Sequence, residues 1–217
     1  MNELRTLRQL QFAKEWINKG ERGILYLPPR FGKIRTSINV LKSYNEHCTV
    51  LIAYPDNKIK QSWLDDFEVL GYENPNITFT THLSLKKYVD KTFDIIIVDE
   101  IHLLSEAQIE VCKDLFKENR KVLGLTGTLA AGTKWSLETH LAMYVLAEYP
   151  LEKAIEEGII TDYEINVITV PLDNVVKQRF GSKVRTEKQQ FDNYSWVINK
   201  MEEEHRNTMF LRLARMR

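Results

Sequence analysis

The chain has 217 residues, with 30 Lys or Arg against 30 Asp or Glu, 43% hydrophobic and 28% charged residues, enough for one α/β domain plus an appendage. No run approaches the roughly 18 apolar residues of a membrane span, and Met1-Asn2-Glu3-Leu4-Arg5 lacks the apolar core of a signal peptide, so a cytoplasmic protein with no membrane partner is expected. Cys48 and Cys112 have neither a CxxC partner nor a nearby His pair, which predicts reduced, buried thiols and no zinc site.

In chain order, helical periodicity over 3–19 leads to an apolar run at 23–27 (GILYL). Further helical patterns at 33–44, 57–70, 84–89 and 105–119 alternate with strand patterns at 49–54, 76–79, 94–98, 121–125 and 164–170. Several strands are nearly continuous Val, Ile and Leu, as parallel strands covered on both faces require. Ser105 and Gln108 have capping-box spacing, and Pro150 and Gly158 bracket a short helix. This alternation predicts a doubly wound parallel sheet with helices on both faces, binding ligands at the carboxyl ends of its strands. Residues 172–186 are polar and predict no strand; 187–217 predict a helical extension without an end cap. From Val176 to Arg217 there are ten Lys or Arg against five acids, a charge excess that fits either phosphate contact or a solvated helix face.

Two sites carry chemistry. Leu27-Pro28-Pro29-Arg30-Phe31-Gly32-Lys33-Ile34-Arg35-Thr36 leaves the first strand and opens a helix, the context in which backbone N–H groups and a helix N-terminus hold phosphates. Gly32 lets the backbone approach, and Lys33 reaches the β- and γ-phosphates. Arg30, Phe31, Ile34 and Arg35 complete the candidate nucleotide contacts. A lone Gly-Lys is a weak signal, but Phe93–His102 strengthens it. There an apolar strand ends in Asp99-Glu100-Ile101-His102, placing Asp99 to hold Mg²⁺ through waters and Glu100 to polarise an attacking water.

The ordered set of motifs resembles that of superfamily 2 helicases of the DExH type, over about residues 4–170. Leu7-Arg8-Gln9-Leu10-Gln11 resembles the element whose glutamine reads adenine, which implies that Gln11 contacts the base. The stretch around Tyr54, Pro55 and Lys58, and that around Thr81 and His82, resemble motifs that track a nucleic-acid backbone. Leu123-Gly124-Leu125-Thr126-Gly127-Thr128 resembles the motif whose hydroxyls couple nucleotide state to domain movement; the resemblance assigns that role to Thr126 and Thr128, with His102. Residues 149–160 resemble the stretch closing the first domain. The resemblance thus implies a RecA-like ATP-binding domain at 1–170, with 171–217 a linker and helical extension toward a second RecA-like domain in cis or trans. It implies ATP and Mg²⁺ as ligands, and nucleic acid as partner, DNA favoured over RNA, in a bacterial or phage-infected cell.

Two departures stand out. The residue after Lys33 is normally Thr or Ser, whose hydroxyl binds Mg²⁺; here it is Ile34, which predicts weaker metal binding. Thr36 lies on another side of the helix and Ser37 a turn further along, out of direct metal reach. No Gln-x-x-Gly-Arg-x-x-Arg-like motif follows Pro171, and an arginine finger is worth about 10³–10⁵ in rate, so slow turnover by these residues alone is expected. A nucleotide-dependent binding module with little hydrolysis is the alternative. An unrelated phosphate-loop kinase has no reason to combine DEIH with Leu-Thr-Gly-Thr.

Overall fold

The apolar runs become the inner strands of one parallel sheet in the computed structural model, which describes residues 3–45, 47–162, 175–180 and 183–200. Helix α1 spans Glu3–Asn18, β1 Arg22–Tyr26, α2 Lys33–Leu41, β2 Val50–Tyr54, α3 Asn57–Val69 and β3 Ile77–Thr81. A 3-10 turn at His82–Tyr88 leads to β4 at Ile95–Val98, and a second at Ile101–Leu103 leads to α4 at Glu106–Glu118. Then come β5 (Val122–Thr126), α5 (Ala131–Leu141), β6 (Val145–Glu148) and α6 (Leu151–Glu156). The strand order is β3-β2-β4-β5-β1-β6, and every adjacent pair is parallel. This is the doubly wound parallel sheet that the strand–helix alternation predicts, in the RecA-like form that the motif resemblance implies.

Strands β2, β4 and β5 are buried along their whole length. Their period of two sends alternate side chains into two separate cores. Ile95 and Ile97 join Leu25, Ile52 and Leu125 under Trp16 of α1, Ile38 of α2 and Trp63 of α3. Ile96 and Val98 join Leu51 and Val122 under Leu115 and Phe116 of α4 and Leu137 of α5. Each such side chain contributes about 1.5–3 kcal/mol on burial, so the strand ends carrying the candidate motifs rest on a rigid base. The capping box is present: Gln108 Oε1 accepts from Ser105 N at 2.8 Å, worth about 1 kcal/mol. Gly158, at φ 66° just past α6, takes the left-handed turn that favours glycine at a helix end.

Three elements depart from expectation. Helix α5 buries only Leu137 and Leu141 and exposes Trp135, so its sequence lacks a helical apolar stripe. Strand β6 is a four-residue, half-exposed edge strand, too short to read as an apolar run. The helix expected at 84–89 is the 3-10 turn. The strand expected at 164–170 lies outside the described residues.

The chain divides by packing into Met1–Asp162 and Tyr163–Arg217. In the second unit, where 172–186 predicted no strand, β7 (Lys177–Phe180) and β8 (Lys183–Thr186) pair antiparallel. Their charged sequences, KQRF and KVRT, carry no apolar alternation. The signal that could have found them is the two-residue Gly181-Ser182 separation, a hairpin spacing. Helix α7, Glu187–Lys200, begins where the sequence predicts.

Candidate nucleotide-binding and hydrolysis site

Strands β1, β4 and β5 deliver their motifs to one edge of the sheet. The loop after β1 turns through Arg30 at φ 65° and Gly32 at φ 100°. A left-handed arginine costs about 1–3 kcal/mol, the kind of strain that concentrates at functional sites. Gly32 is the N-cap of α2 and supplies no side-chain cap, which leaves that helix end open to an anion. The positive φ favours glycine at this N-cap, and a Cβ there would lie 2.4 Å from Gln9 Nε2 and displace the end of that side chain.

The loop is anchored from below. Phe31 is fully buried and packs against Phe12 and Tyr149, with ring centroids 5.7 and 5.3 Å away. Its side chain therefore belongs to the core, a correction to its place among the nucleotide contacts. Gln9, buried on α1, donates from Nε2 to the Phe31 carbonyl at 2.8 Å. Gln11 is exposed and accepts from Arg8 at 2.9 Å on the helix surface. The structure thus brings Gln9, and not Gln11, to the phosphate loop.

Arg30, Gly32, Lys33, Ile34, Asp99 and Glu100 line one open cleft of about 260 Å³, closed on the far side by Ile59, Ser62 and Asp66 of α3. Lys33 Nζ lies 3.0 Å from Glu100 Oε1. Arg35 Nε lies 2.8 Å from Asp66 Oδ1, which ties α2 to α3 and directs Arg35 to the cleft wall. Glu100 sits at φ 50°, the second non-glycine residue of this site, after Arg30, in the left-handed region.

Asp99 is only 4% exposed, and burial, with the neighbouring Glu100 charge, pushes its carboxyl up to about 6. Trp63 Nε1 donates to Asp99 Oδ2 at 3.2 Å. Neither Trp63 nor Ser62 figures among the sequence candidates; Trp63 meets a carboxylate 36 residues away, a separation that leaves no local spacing to read.

The DEIH histidine joins the β5 motif. Thr126 donates to the Thr128 carbonyl, so its oxygen accepts from His102 Nδ1 at 2.8 Å, and Thr128 Oγ1 donates to His102 Nε2 at 3.1 Å. Glu100 Oε2 lies 3.4 Å from the same Nδ1. Burial holds the His102 ring below its ordinary range, opposed by Glu100. Glu100, His102, Thr126 and Thr128 form one continuous polar chain.

Two of the expected nucleic-acid residues are not available for contact through their side chains. Tyr54 is 2% exposed and sits in the core, and His82 is 3% exposed. His82 Nε2 donates to the Asp99 carbonyl at 2.9 Å, with burial pushing its ring down to about 4. It braces the end of β4. Pro55 and Thr81 are half-buried and Lys58 is exposed, all at strand or helix ends on this edge of the sheet.

The donor set fits a magnesium ion that arrives with most of its own ligands. Asp99 is one carboxylate, Ile34 offers no oxygen, and the hydroxyls of Thr36 and Ser37 donate to the carbonyls of Gly32 and Lys33, each at 3.1 Å. Mg²⁺ is commonly held by one or two carboxylates plus phosphates and waters. Among the described residues no group of three or more His, Cys, Asp and Glu side chains could hold a metal, and no helix is long and apolar enough to cross a membrane.

No protein-family model matches the chain, and no curated protein sequence does. Solved structures match its fold. The UvsW helicase of bacteriophage T4 has a TM-score of 0.51 at 18% identity, over 64% of this chain and 58% of that one. The helicase domain of Pyrococcus furiosus Hef has a TM-score of 0.54 at 13% identity, over 66% and 37%. The Sulfolobus solfataricus SWI2/SNF2 ATPase core, solved in complex with dsDNA, has a TM-score of 0.50 at 20% identity, over 61% and 34%. This chain therefore spans from about a third to under three fifths of these proteins. At these identities the likeness establishes architecture: Met1–Asp162 has the RecA-like fold found in helicase and SWI2/SNF2 ATPase cores.

Proposed function

We propose that the chain contains the first RecA-like domain of an ATP-dependent helicase or translocase of the DExH type, acting on nucleic acid, DNA in preference to RNA. The observation that carries this reading is the Lys33–Glu100 approach of 3.0 Å beside the buried Asp99. A phosphate-binding cation, a water-polarising carboxylate and a metal-side carboxylate meet at one sheet edge. Lys33 leaves Glu100 for the β- and γ-phosphates when nucleotide enters, and Glu100 is then free to orient a water against the γ-phosphorus. Asp99 faces the metal through waters, and a bound Mg²⁺ would neutralise charge on the phosphate oxygens. The chain from Glu100 through His102 to Thr126 and Thr128 carries the change at the γ-phosphate toward the adjoining motor domain, in cis or trans. Pro55, Lys58 and Thr81 face the nucleic-acid backbone.

A second reading, a nucleotide-dependent nucleic-acid-binding module with little hydrolysis, is favoured by Ile34 and by the engagement of the Thr36 and Ser37 hydroxyls with backbone carbonyls. One experiment separates them: ATP hydrolysis by the longest natural chain, alone and with single-stranded DNA, duplex DNA or RNA. The motor reading expects stimulation by a nucleic acid and its loss in Glu100→Gln. Unstimulated turnover that Glu100→Gln leaves unchanged overturns it.

A further inference from the structure

The hairpin of the second unit carries Lys177, Arg179, Lys183 and Arg185 within two four-residue strands that contain no acid. Opposed residues of an antiparallel pair share a face. By the register, Lys177 and Arg179 share one face with Val184 and Thr186, and Lys183 and Arg185 share the other with Gln178. Across the ladder Lys177 stands opposite Thr186 and Arg179 opposite Val184. Support comes from behind: Gln189 N donates to Thr186 Oγ1 at 3.2 Å and Thr186 N donates to Gln189 Oε1 at 3.1 Å. Arg185 also donates to Gln190 Oε1 at 3.3 Å. These bonds fix β8 to the first turn of α7, while Lys177, Arg179 and Lys183 remain exposed.

We propose that this hairpin is a docking surface for the phosphodiester backbone of a nucleic acid. Alternate residues on a strand stand about 7 Å apart, so Lys177 and Arg179 form a short line on one face while Lys183 stands exposed on the other. A ribbon charged on both faces suits an occupant with phosphates on two sides, and the major groove of a duplex admits a two-stranded ribbon between its phosphate walls. An anionic membrane is a single surface and would leave one face of cations turned away. Fixing the hairpin to α7 before binding lowers the ordering cost of contact.

The test is titration of mixed-sequence oligonucleotides, duplex and single-stranded, by fluorescence anisotropy without ATP, over a range of salt. The full chain is compared with a triple variant, Lys177→Gln, Arg179→Gln and Lys183→Gln, and with Lys113→Gln plus Lys117→Gln on α4. Each phosphate contact contributes about 0.9 to the slope of log affinity against log salt on duplex and about 0.7 on a single strand. The triple variant is therefore expected to bind more weakly, its slope shallower by about 2.7 on duplex or about 2 on a single strand, with the α4 variant unchanged. Lys177→Arg with Lys183→Arg should keep parental binding, and circular dichroism should match for all. Four outcomes overturn the proposal: no binding by the parent, an unchanged slope in the triple variant, an equal loss in the α4 variant, or binding to phosphatidylserine vesicles in place of oligonucleotides. Nucleotide binding, followed in the same samples, reports separately on the motor reading.

Discussion

The ammonium of Lys33 lies 3.0 Å from the Glu100 carboxylate, with side chains 14% and 25% exposed, so the two residues hold each other. On the proposed reading, nucleotide replaces Glu100 as the partner of Lys33, and the carboxylate also repels an incoming triphosphate. Glu100→Gln removes both the competition and the repulsion. It should bind a fluorescent ATP analogue several-fold more tightly while phosphate release falls by about 10²–10⁴. Lys33→Ala should lose binding outright. Weaker binding by Glu100→Gln, or hydrolysis at the parental rate, would contradict the assigned roles.

Ile34 lines the cleft and packs in part against the core. Ile34→Thr would place a hydroxyl one residue after Lys33, within reach of a metal that Thr36 and Ser37 do not serve. A bond to a charged partner is worth about 1.5–3 kcal/mol, so the Mg²⁺ concentration for half-maximal nucleotide binding should drop by about tenfold or more. The lost methyl packing should cost stability by about 1 kcal/mol. Titrations of Mg²⁺ at fixed nucleotide measure the first effect; an unchanged midpoint discards Ile34 as the cause of any weak metal response.

What could be read in advance was what is local. The strands of the cores announce themselves because Ile95–Val98 and Val50–Tyr54 are apolar without interruption, with DEIH at the end of the first and the Gly-Lys loop at the end of β1. The Glu100, His102, Thr126 and Thr128 chain was legible through motif order. Burial was not. Tyr54 and His82 match a motif by position yet point inward: Tyr54 ends a strand covered on both faces, and His82 opens the 3-10 turn that follows β3. The hairpin escaped because its strands are charged, and α5 because its face toward α4 is nearly bare of apolar residues.

Gln9 and Gln11 are the sharpest case of a two-residue ambiguity. On a helix two positions differ by about 200°, so only one of them faces the loop. Gln9 holds the Phe31 carbonyl at 2.8 Å in a buried position. Gln9→Ala should leave that carbonyl without its partner, lowering stability by about 1–3 kcal/mol and weakening nucleotide affinity by loosening Arg30 to Lys33. Gln11→Ala, on the exposed surface, should stay within about 0.5 kcal/mol of the parent. Urea unfolding and nucleotide titration of both variants decide between them; the reverse ranking would restore Gln11 to the site.

Asp99 supplies a pH signature that is independent of turnover. Its carboxyl is raised from 3.8 to about 6, first by burial and then by Glu100, so the folded protein holds a proton that the unfolded chain gives up earlier. For a raised pKa the contribution to stability is present below the unfolded value and is lost as pH rises through the folded one. At about 1.4 kcal/mol per unit, ionised Asp99 costs on the order of 3 kcal/mol near neutrality. Asp99→Asn keeps an acceptor for Trp63 and removes the charge. Its stability advantage should be nil below about pH 4, grow between about pH 4 and 6, and level off above. Denaturant unfolding across that range measures the difference, and a pH-independent offset between variant and parent would show that the carboxylate is not desolvated. Filling the cleft with Mg²⁺ and nucleotide should narrow the gap by favouring the ionised parent, an effect that Asn at this position does not share.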